Sequence, residues 1–436
     1  MKTQSTIMVV AAVKPGGPLE ELRILLKGMN MEGIPGHVNP ENSLIPFSHF
    51  SGLHFGRFLI IESDILDEIK EFGQTPRPWK PSLAFICEFD GDRGAFLAEL
   101  EEKASPGLKK IFSFCEGFSE QVNLPQWMKK HNIEPSANYI NWIGRTVTQV
   151  HEEAALHKSL AKYLQEIVGE VGKDDTRELR QKLLSYVEME KHHERLTLTP
   201  AHPTTIRWKI FNFLDMITLP LILLLLTPLF IFIAPFYAIR LRMLERSDPE
   251  LYIRPRREHI EELSELEDYD VTNQYSVFGD VKPGLFRLLS FRFVLLLTNY
   301  LARHAFNRGF LARIKTIHFA RWVFMDNNHR VFFVSNYDGS HESYMDDFIN
   351  KAGFGLNLTF SNAVGYPATR WIIKEGAQRE QAFKYTQRRH QMPTQVWYKA
   401  YPGLTTKDLA RNSLIRKGVE NRQSNDAEIR DWLSLI

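Results

Sequence analysis

The sequence predicts an α+β fold in which two similar halves flank an apolar, membrane-inserted helical segment. Two observations support this prediction. Met216–Ile239 is a run of 24 residues without a charge, in a 436-residue chain of which 24% is charged. Several short motifs of the first half also recur, in the same order, after residue 272. The net charge of +2 gives no global electrostatic case for a nucleic-acid partner.

The internal repeat consists of five pairs of matching segments. They are Val13–Gly16 with Val281–Gly284, His54–Phe58 with His318–Trp322, Phe85–Gly91 with Phe333–Gly339, Ile111–Phe118 with Thr359–Tyr366, and Lys130–His131 with Arg389–His390. Each match alone is weak, but five matches in one order indicate that the two halves share one architecture.

Each half is predicted to run strand, helix, strand, strand, helix, strand. In the second half the expected elements are Gln274–Asp280, Leu285–Phe306, Ile314–Met325, Arg330–Tyr337, Ser343–Ala352 and Thr394–Tyr401. The strands are rich in β-branched and aromatic residues, and Asp326–His329 supplies a hairpin turn. This order is that of the ferredoxin-like βαββαβ unit.

Two such units in one chain resemble the dimeric α+β barrel superfamily, in which two ferredoxin-like sheets pack face to face. The resemblance covers about 1–160 and 272–425 and implies an intramolecular, pseudo-dimeric barrel. The predicted organisation is a first ferredoxin-like unit (1–165), a charged helical linker (166–205), a membrane-inserted segment (206–246, core 216–239), an acidic linker (247–271), a second ferredoxin-like unit (272–425) and a C-terminal tail (426–436).

The apolar segment is long enough to cross a bilayer, because 24 helical residues reach about 36 Å and the hydrocarbon core is about 30 Å thick. A single straight crossing would place the two halves on opposite sides, which a shared barrel forbids. A bent, re-entrant or monotopic insertion with two arms of about eleven residues is therefore expected, with a straight span and a buried core helix as alternatives. The residues expected to contact lipid include Pro220, Leu224, Pro228, Phe232 and Pro235.

A second apolar stretch, Leu285–Phe306, has arginines at its edges and lies in an acid-free region between Asp280 and Asp326. It is predicted to be the first helix of the second unit, an interfacial helix facing anionic lipid, or both. The N-terminus has no long apolar core of a signal peptide. The expected location is the cytoplasmic face of the inner membrane. The expected partners are membrane lipids, a lipophilic small molecule and a second copy of the chain.

No catalytic motif of high specificity is present. The best candidate region is Ser335–Asp347, a strand-to-helix junction rich in polar side chains. At this junction Asp338 either takes part in chemistry or caps the helix that follows, because Asp90 occupies the matching position of the first half, and Ser340 is the alternative cap. Asn336, His341 and Glu342 have no such duplicate, so they are stronger site candidates.

Arg57 and Arg321 are duplicated strand residues, and an arginine inside a barrel needs a partner or an anionic ligand. The alternative is an arginine at a sheet edge that reaches solvent. Hairpin pairing should bring Phe319 opposite Asn336 and Arg321 opposite Val334. The predicted catalytic residues are Arg321, Asp338 and His341, and the predicted ligand-binding residues are His318, Asn336, Glu342, His390, Trp397 and Tyr398.

Ser335–Gly339 resembles the G-x-x-D-G motif of dye-decolorising haem peroxidases, although the first glycine is missing. That resemblance implies haem as a cofactor, a role for Asp338 in peroxide cleavage, a nearby arginine, and His390 or His318 as the iron ligand. The stretches from Asn336 to Phe348 and from Pro393 to Thr405 also resemble a widespread bacterial group, which implies fold but no activity.

The sequence therefore leaves two functions open. The first is a membrane-associated protein that binds a lipophilic or amphipathic ligand in its barrel, with oxidoreductase activity of peroxidase or monooxygenase type. The second is a non-enzymatic, membrane-anchored lipid-binding or scaffolding module in which side chains fill the barrel.

Overall fold

The computed structural model describes residues 3–16, 18–62, 65–167, 176–200, 205–421 and 423–436. The strands are β1 (Gln4–Ala12), β2 (Asn30–Met31), β3 (Ile34–Val38), β4 (Leu53–Ile61), β5 (Ser82–Asp90), β6 (Ala137–Ile140), β7 (Thr272–Asp280), β8 (Ile317–Met325), β9 (Arg330–Asp338), β10 (Thr369–Arg370), β11 (Lys374–Glu375) and β12 (Thr394–Lys399). The helices are α1 (Pro18–Lys27), α2 (Arg93–Phe112), α3 (Leu124–His131), α4 (Val147–Ile167), α5 (Thr176–His192), α6 (Ile206–Leu225), α7 (Thr227–Ser247), α8 (Arg257–Ser264), α9 (Leu285–His304), α10 (His341–Phe360), α11 (Glu380–His390), α12 (Thr406–Glu420) and α13 (Asp426–Leu433).

The fold is mixed α/β, with two open sheets as its centre. The first sheet has the order β1-β5-β4-β12-β3-β2, and the second has the order β6-β8-β9-β7. A two-stranded ribbon, β10-β11, lies apart from both sheets. Within the first sheet β1 pairs antiparallel with β5, and within the second β7 pairs antiparallel with β9.

The two sheets exchange one strand. The last strand of the first half, β6, pairs antiparallel with β8 of the second sheet, whereas β12 of the second half pairs antiparallel with β4 of the first sheet. The order β1-β5-β4-β12 in one sheet therefore matches β7-β9-β8-β6 in the other. Neither half completes its own sheet, so the two halves form one folding unit.

The inner faces of the two sheets share a hydrophobic core. It contains side chains from strands of both sheets, among them Met8, Ile86, Phe278, Val323 and Phe332. On its outer face the first sheet packs against α1, α2 and α3, and the second packs against α9 and α10. The arrangement is four layers, with helices outside and the two sheets inside.

The predicted hairpin of the second half is confirmed in its register. Phe319 lies opposite Asn336 and Arg321 lies opposite Val334. The turn at Asp326–Asn328 has left-handed backbone angles at all three residues, a conformation that Asp and Asn tolerate best after glycine. Helix α10 is longer than predicted: Ser340 caps its first turn, and the helix continues to Phe360.

The C-terminal residues 426–436 were expected to be a tail, but they form α13, whose capping box begins at Asn425. Trp432 of this helix donates a hydrogen bond to the backbone oxygen of Ile415 (2.9 Å). Helices α4 and α5 pack in the same cluster. Of the predicted linker 166–205, residues 168–175 and 201–204 lie outside the described residues.

Among the described residues, three helices are long and apolar enough to cross a membrane by length and composition: α6, α7 and α9. We call them together the apolar layer. No residue of α6 is buried, and α7 buries only Leu241 and Glu245. Leu224 and Leu225, near the middle of the segment, are 69% and 79% exposed. The layer therefore presents its apolar side chains to the surroundings of the protein.

Helices α6 and α7 do not form the predicted pair of returning arms. Only Leu226 separates them, and its backbone remains right-handed helical, so the two helices continue in one direction through a kink. The kink follows from Pro228, which has no amide hydrogen to bond to the preceding turn. Pro220 and Pro235 lie inside the helices without ending them.

The contacts that α6 and α7 make with α9 also indicate that the two helices do not fold back on each other. Tyr237 donates to Ser290 (3.2 Å), and the rings of Phe230 and Phe293 lie 6.2 Å apart. Tyr300 donates to the backbone oxygen of Met216 (2.6 Å). The contacts thus progress antiparallel along α9, whereas a fold-back at Leu226 would place Tyr237 beside Met216.

Helix α9 is fixed to the second sheet over its length. Arg287, Ser290, Phe291, Leu295 and Ala302 are its buried residues. The ring of Phe291 lies 5.1 Å from Phe324 of β8, and Asn299 accepts a hydrogen bond from the backbone of β6 at Asn138 (3.2 Å). The apolar layer consequently lies along the side of the second sheet rather than projecting away from it.

Candidate functional site

Two fully buried arginines cross the space between the sheets in opposite directions. Arg57 of β4 donates to the Ser276 hydroxyl and to the backbone oxygen of Ser335, both at 3.1 Å, and contacts the Asn336 amide oxygen. Both arginines are buried, so the alternative of arginines reaching solvent at a sheet edge is wrong. Burial lowers the pKa of Arg57 to about 10.

Arg321 of β8 makes the matching contacts on the other side. It donates to the backbone oxygen of Ile7 (3.0 Å) and forms an ion pair with Glu88. Glu88 in FICEFDG corresponds to Asn336 in FVSNYDG. One arginine therefore has a carboxylate partner and the other, Arg57, has only a neutral amide at the equivalent place.

Two His–Asp pairs repeat the same symmetry at one end of the sheets. His54 Nε2 lies 3.1 Å from Asp90 Oδ1, and His318 Nε2 lies 2.7 Å from Asp338 Oδ1. All four side chains are buried. One pair joins β4 to the end of β5 and the other joins β8 to the end of β9, because the repeat places the residues there.

The aspartates cap helices, but not the ones that follow them in sequence. Asp338 Oδ2 accepts from the backbone nitrogen and the hydroxyl of Thr406, each at 2.7 Å, at the start of α12. Asp90 Oδ2 accepts from the backbone nitrogen of Val147 (2.9 Å) at the start of α4. Of the two candidate caps of α10, Ser340 is confirmed and Asp338 does not cap that helix.

The carboxylate of Asp338 is held in its charged form by His318 and by hydrogen-bond donors. Burial alone would raise its pKa, but the nearby His318 and the donors of Thr406 outweigh that effect and lower it below the ordinary value of 3.8. The carboxylate is thus held charged by groups of the protein itself.

Aromatic rings fill the space around the two pairs. The ring of His54 lies 5.4 Å from Phe319, and the ring of His318 lies 5.4 Å from Phe55. The hydroxyl of Tyr401 lies 3.2 Å from His54 Nδ1. Side chains therefore occupy the centre at this end of the sheets.

The two predicted ligand-binding residues of β12 point to opposite faces. Trp397 joins the central aromatic cluster and stacks with Phe55 at 6.1 Å. Tyr398 faces the helices of the first half and stacks with Phe47 at 5.2 Å. Only Trp397 lies near the His–Asp pairs.

His341 and Glu342 lie on the outer face of the second sheet, away from Arg321. His341 is buried at the start of α10, its ring 5.8 Å from Tyr275. Nδ1 lies 3.5 Å from Glu342, and Nε2 has no hydrogen-bond partner among the described residues. Burial lowers the pKa of His341. The predicted catalytic group of Arg321, Asp338 and His341 is not assembled in one place.

His390 belongs to a separate buried cluster with Glu68, a residue that the sequence did not single out. Its Nδ1 lies 3.1 Å from the backbone oxygen of Phe278, and its Nε2 lies 3.2 Å from Glu68. Both ring nitrogens therefore already have partners within the protein. Burial opposes the charge of Glu68, yet His390 and Arg389 lower its pKa to about 2.

These side chains do not fit a haem. An iron ligand needs a nitrogen that is free to bind the metal, and both nitrogens of His390 already have partners. Nε2 of His318, the other candidate, lies on Asp338, and its ring is enclosed by Phe55 and Tyr401. Asp338 and Arg321 are bonded within the protein, and aromatic rings occupy the space between. No group of three or more His, Cys, Asp and Glu side chains suited to a metal ion occurs in the described ranges.

The sequence also did not single out Glu88 as the partner of Arg321 or Thr406 as the partner of Asp338. Glu88 lies in a repeated motif opposite a predicted site residue, so the repeat itself contained the signal. Thr406 comes to Asp338 only through the strand exchange, which no local pattern reveals.

Comparison with known proteins gives no match: no family model, curated protein or solved structure is similar to the chain at a significant level.

Proposed function

We propose that this protein is a non-enzymatic, lipid-binding or scaffolding protein that attaches to one leaflet of a membrane through its apolar layer. The observation that carries the proposal is that an exposed apolar surface is fixed along the second sheet by α9. An exposed apolar surface of this kind is typical of a membrane or protein contact site.

The strand exchange favours a lying orientation over a crossing. Strand β6 and strands β7, β8 and β9 belong to one sheet, so the chain between residues 141 and 271 leaves and returns to the same sheet. The segment α6–α7 continues in one direction, and one passage across the bilayer would separate strands that pair. Attachment within one leaflet keeps the paired strands on one side of the membrane and needs no crossing by α6 and α7.

The charges around the layer suit an anionic leaflet. Exposed basic side chains occur at both ends of its helices: Arg207, Lys209, Arg240, Arg246 and Arg303. Asp215 is the exposed acid of these helices, and it lies 3.0 Å from Arg303. Basic residues near a membrane surface each contribute about 1 kcal/mol with anionic lipid.

We also infer that the two halves are ferredoxin-like units whose fourth strands have been exchanged. The matching strand orders and the matching contacts of Arg57 and Arg321 support this inference. The filled space between the sheets favours the scaffolding function over a ligand inside the barrel. The unpaired cysteines Cys87 and Cys115 agree with a reducing compartment and hence with the cytoplasmic face.

Binding to lipid vesicles tests the attachment. Leu225→Glu should weaken flotation of the full chain with phosphatidylglycerol vesicles by at least about tenfold, because it places a charge among apolar side chains. Ile24→Glu is the matched control: Ile24 is 71% exposed, but it lies on α1, far from the layer. Equal flotation of Leu225→Glu and the parent would contradict the proposal, and so would equal losses in both variants.

Labels on introduced cysteines test the orientation. Fluorophores at Phe211, Leu225 and Ile239 of protein bound to preformed vesicles should all be reduced by dithionite added outside, since a lying layer stays in the outer leaflet. A crossing would protect the label at one end. Association through a second copy of the chain would instead leave the protein unbound to vesicles and twice the expected mass.

A further inference from the structure

A cavity of about 480 Å³ lies where the two halves meet the segment that follows α7. Its walls come from α1, from β4 and residues soon after it, from the stretch between the end of α11 and the start of β12, and from five residues between Ile253 and Glu262. Small-molecule sites usually occupy about 300–1,000 Å³ and often lie between domains. The cavity is separate from the His–Asp pairs and from the apolar layer.

One side of this cavity is apolar. Ile60 of β4, Ile65 and Met392 contribute to its lining. Ile65 and Met392 also belong to the cluster between the two sheets, so this side is backed by the core. An apolar group that binds against this surface removes apolar area from water, which favours binding.

Carboxylates at the base of the cavity are already neutralised. Glu62 forms an ion pair with Arg23, and Glu68 is paired with Arg389 (2.5 Å) and His390 (3.2 Å). Arg389 additionally donates to the backbone oxygen of Ile253 (2.7 Å), which fixes the wall of the cavity.

The opposite wall carries the charged side chains Arg254, Arg256 and Glu262, together with His259. The guanidinium of Arg254 lies 5.9 Å from the ring of Tyr385, and no carboxylate of the described residues pairs with it. An arginine above an apolar floor is suited to an anionic head group with an apolar stem.

We infer that this cavity binds an anionic amphiphile, a molecule with a phosphate or carboxylate head and a short apolar stem, with Arg254 contacting the head. The inference rests on the proposed function, because a membrane is the source of such molecules. Ser247 ends α7, and six residues further on Ile253 lines the cavity, a span of at most about 20 Å. Asp248 is held by Lys282 (3.0 Å) and Arg287, which fixes the start of this connection.

Calorimetric titration of the full chain in phosphatidylcholine discs tests the inference. Hexyl phosphate, inorganic phosphate and hexanol are the probes. Hexyl phosphate should bind at least about tenfold more tightly than inorganic phosphate, because its stem covers the apolar floor. Hexanol should show no saturable binding. Equal affinity for the two phosphates would overturn the amphiphile, and absence of binding would overturn the site.

Two variants locate the binding. Arg254→Gln should weaken hexyl phosphate binding by about tenfold or more, the loss expected for one charged hydrogen bond. Arg257→Gln is the matched control, since Arg257 lies three residues away, pairs with Glu261 (2.7 Å) and does not line the cavity. Equal effects of the two variants would show nonspecific attraction and overturn the inference.

A third variant tests the apolar floor. Ile65→Asn should remove most of the difference between hexyl phosphate and inorganic phosphate, and an unchanged difference would refute the role of the floor. These titrations use no anionic vesicle and no change in the apolar layer. The titrations can therefore refute the cavity site while vesicle attachment is confirmed, or confirm the site while vesicle attachment is refuted.

Discussion

Removing the carboxylate of Asp338 should destabilise the protein more than removing that of Asp90. Asp338 accepts hydrogen bonds from Thr272 (2.8 Å), from His318 (2.7 Å) and from the backbone nitrogen of Thr406 (2.7 Å). The Thr406 hydroxyl, 2.7 Å from Asp338, shares its one hydrogen with the backbone oxygen of Lys315 (2.5 Å). Asp90 accepts two, from His54 (3.1 Å) and from a backbone nitrogen at the start of α4 (2.9 Å).

The expected magnitude follows from these contacts. At about 1 kcal/mol for each buried hydrogen bond lost, Asp338→Ala should lower the free energy of unfolding by about 3–4 kcal/mol and Asp90→Ala by about 2 kcal/mol. The first value exceeds the loss of an ordinary helix cap, about 0.5–2 kcal/mol. Because the two sites are related by the repeat, each variant serves as the control for the other.

The pH dependence gives an independent check. The pKa of Asp338 is lowered in the folded protein, so its contribution is present above the ordinary value of 3.8 and is lost as the pH falls through the folded value. The difference in unfolding free energy between the parent and Asp338→Asn should be constant above about pH 5 and shrink below about pH 4.

Urea unfolding followed by circular dichroism in a neutral detergent measures both quantities. A smaller loss for Asp338→Ala than for Asp90→Ala would refute the reasoning, because the number of bonds would then not decide the cost. A parent-to-variant difference that grew below pH 4 would refute the assigned charge.

Two further predictions concern buried charges. Asn336→Asp should raise the free energy of unfolding by about 1 kcal/mol in urea titrations at pH 7, since it gives Arg57 a carboxylate, and the gain should disappear below about pH 4. A destabilised variant would show that the second carboxylate costs more in desolvation than the pairing returns. Burial raises the pKa of Glu153 to about 7, and the nearby Arg145 and Arg416 offset this rise only in part. The folded protein therefore keeps this proton where the unfolded chain loses it, so the free energy of unfolding falls as the pH rises from about 4.5 to 7. Glu153→Gln should flatten the stability profile in that window and exceed the parent by about 3 kcal/mol at pH 8, and an unchanged profile would contradict this account.

The sequence predicted the parts of the fold that rest on local patterns. The hairpin register at Phe319 and Asn336 followed from strand composition and the Asp326–His329 turn, because pairing across a short turn leaves few alternatives. Helix α11, which carries His390, was missed between two predicted elements, since its polar composition gives no apolar run.

The candidate site was predictable only in part, because its decisive contacts cross between the halves. The repeat placed Arg57 and Arg321 on matching strands, and both do point between the sheets. The partners of His390 and Asp338 come from distant segments, at Glu68 and Thr406. A buried polar residue can be recognised in a sequence, but whether a ligand or another residue satisfies it depends on the tertiary fold.

The exchanged strand connects the central sheets with the apolar layer. Strand β6 is the edge of the second sheet, and α9 packs across it while also contacting α6 and α7. A displacement of the layer by lipid would therefore act on the strand that the first half contributes. Asp90 holds the start of α4 directly after that strand, through the backbone nitrogen of Val147. The second sheet, the exchanged strand and the apolar layer are consequently joined by direct contacts, and the proposed attachment to a membrane would hold both halves of the protein at the same surface.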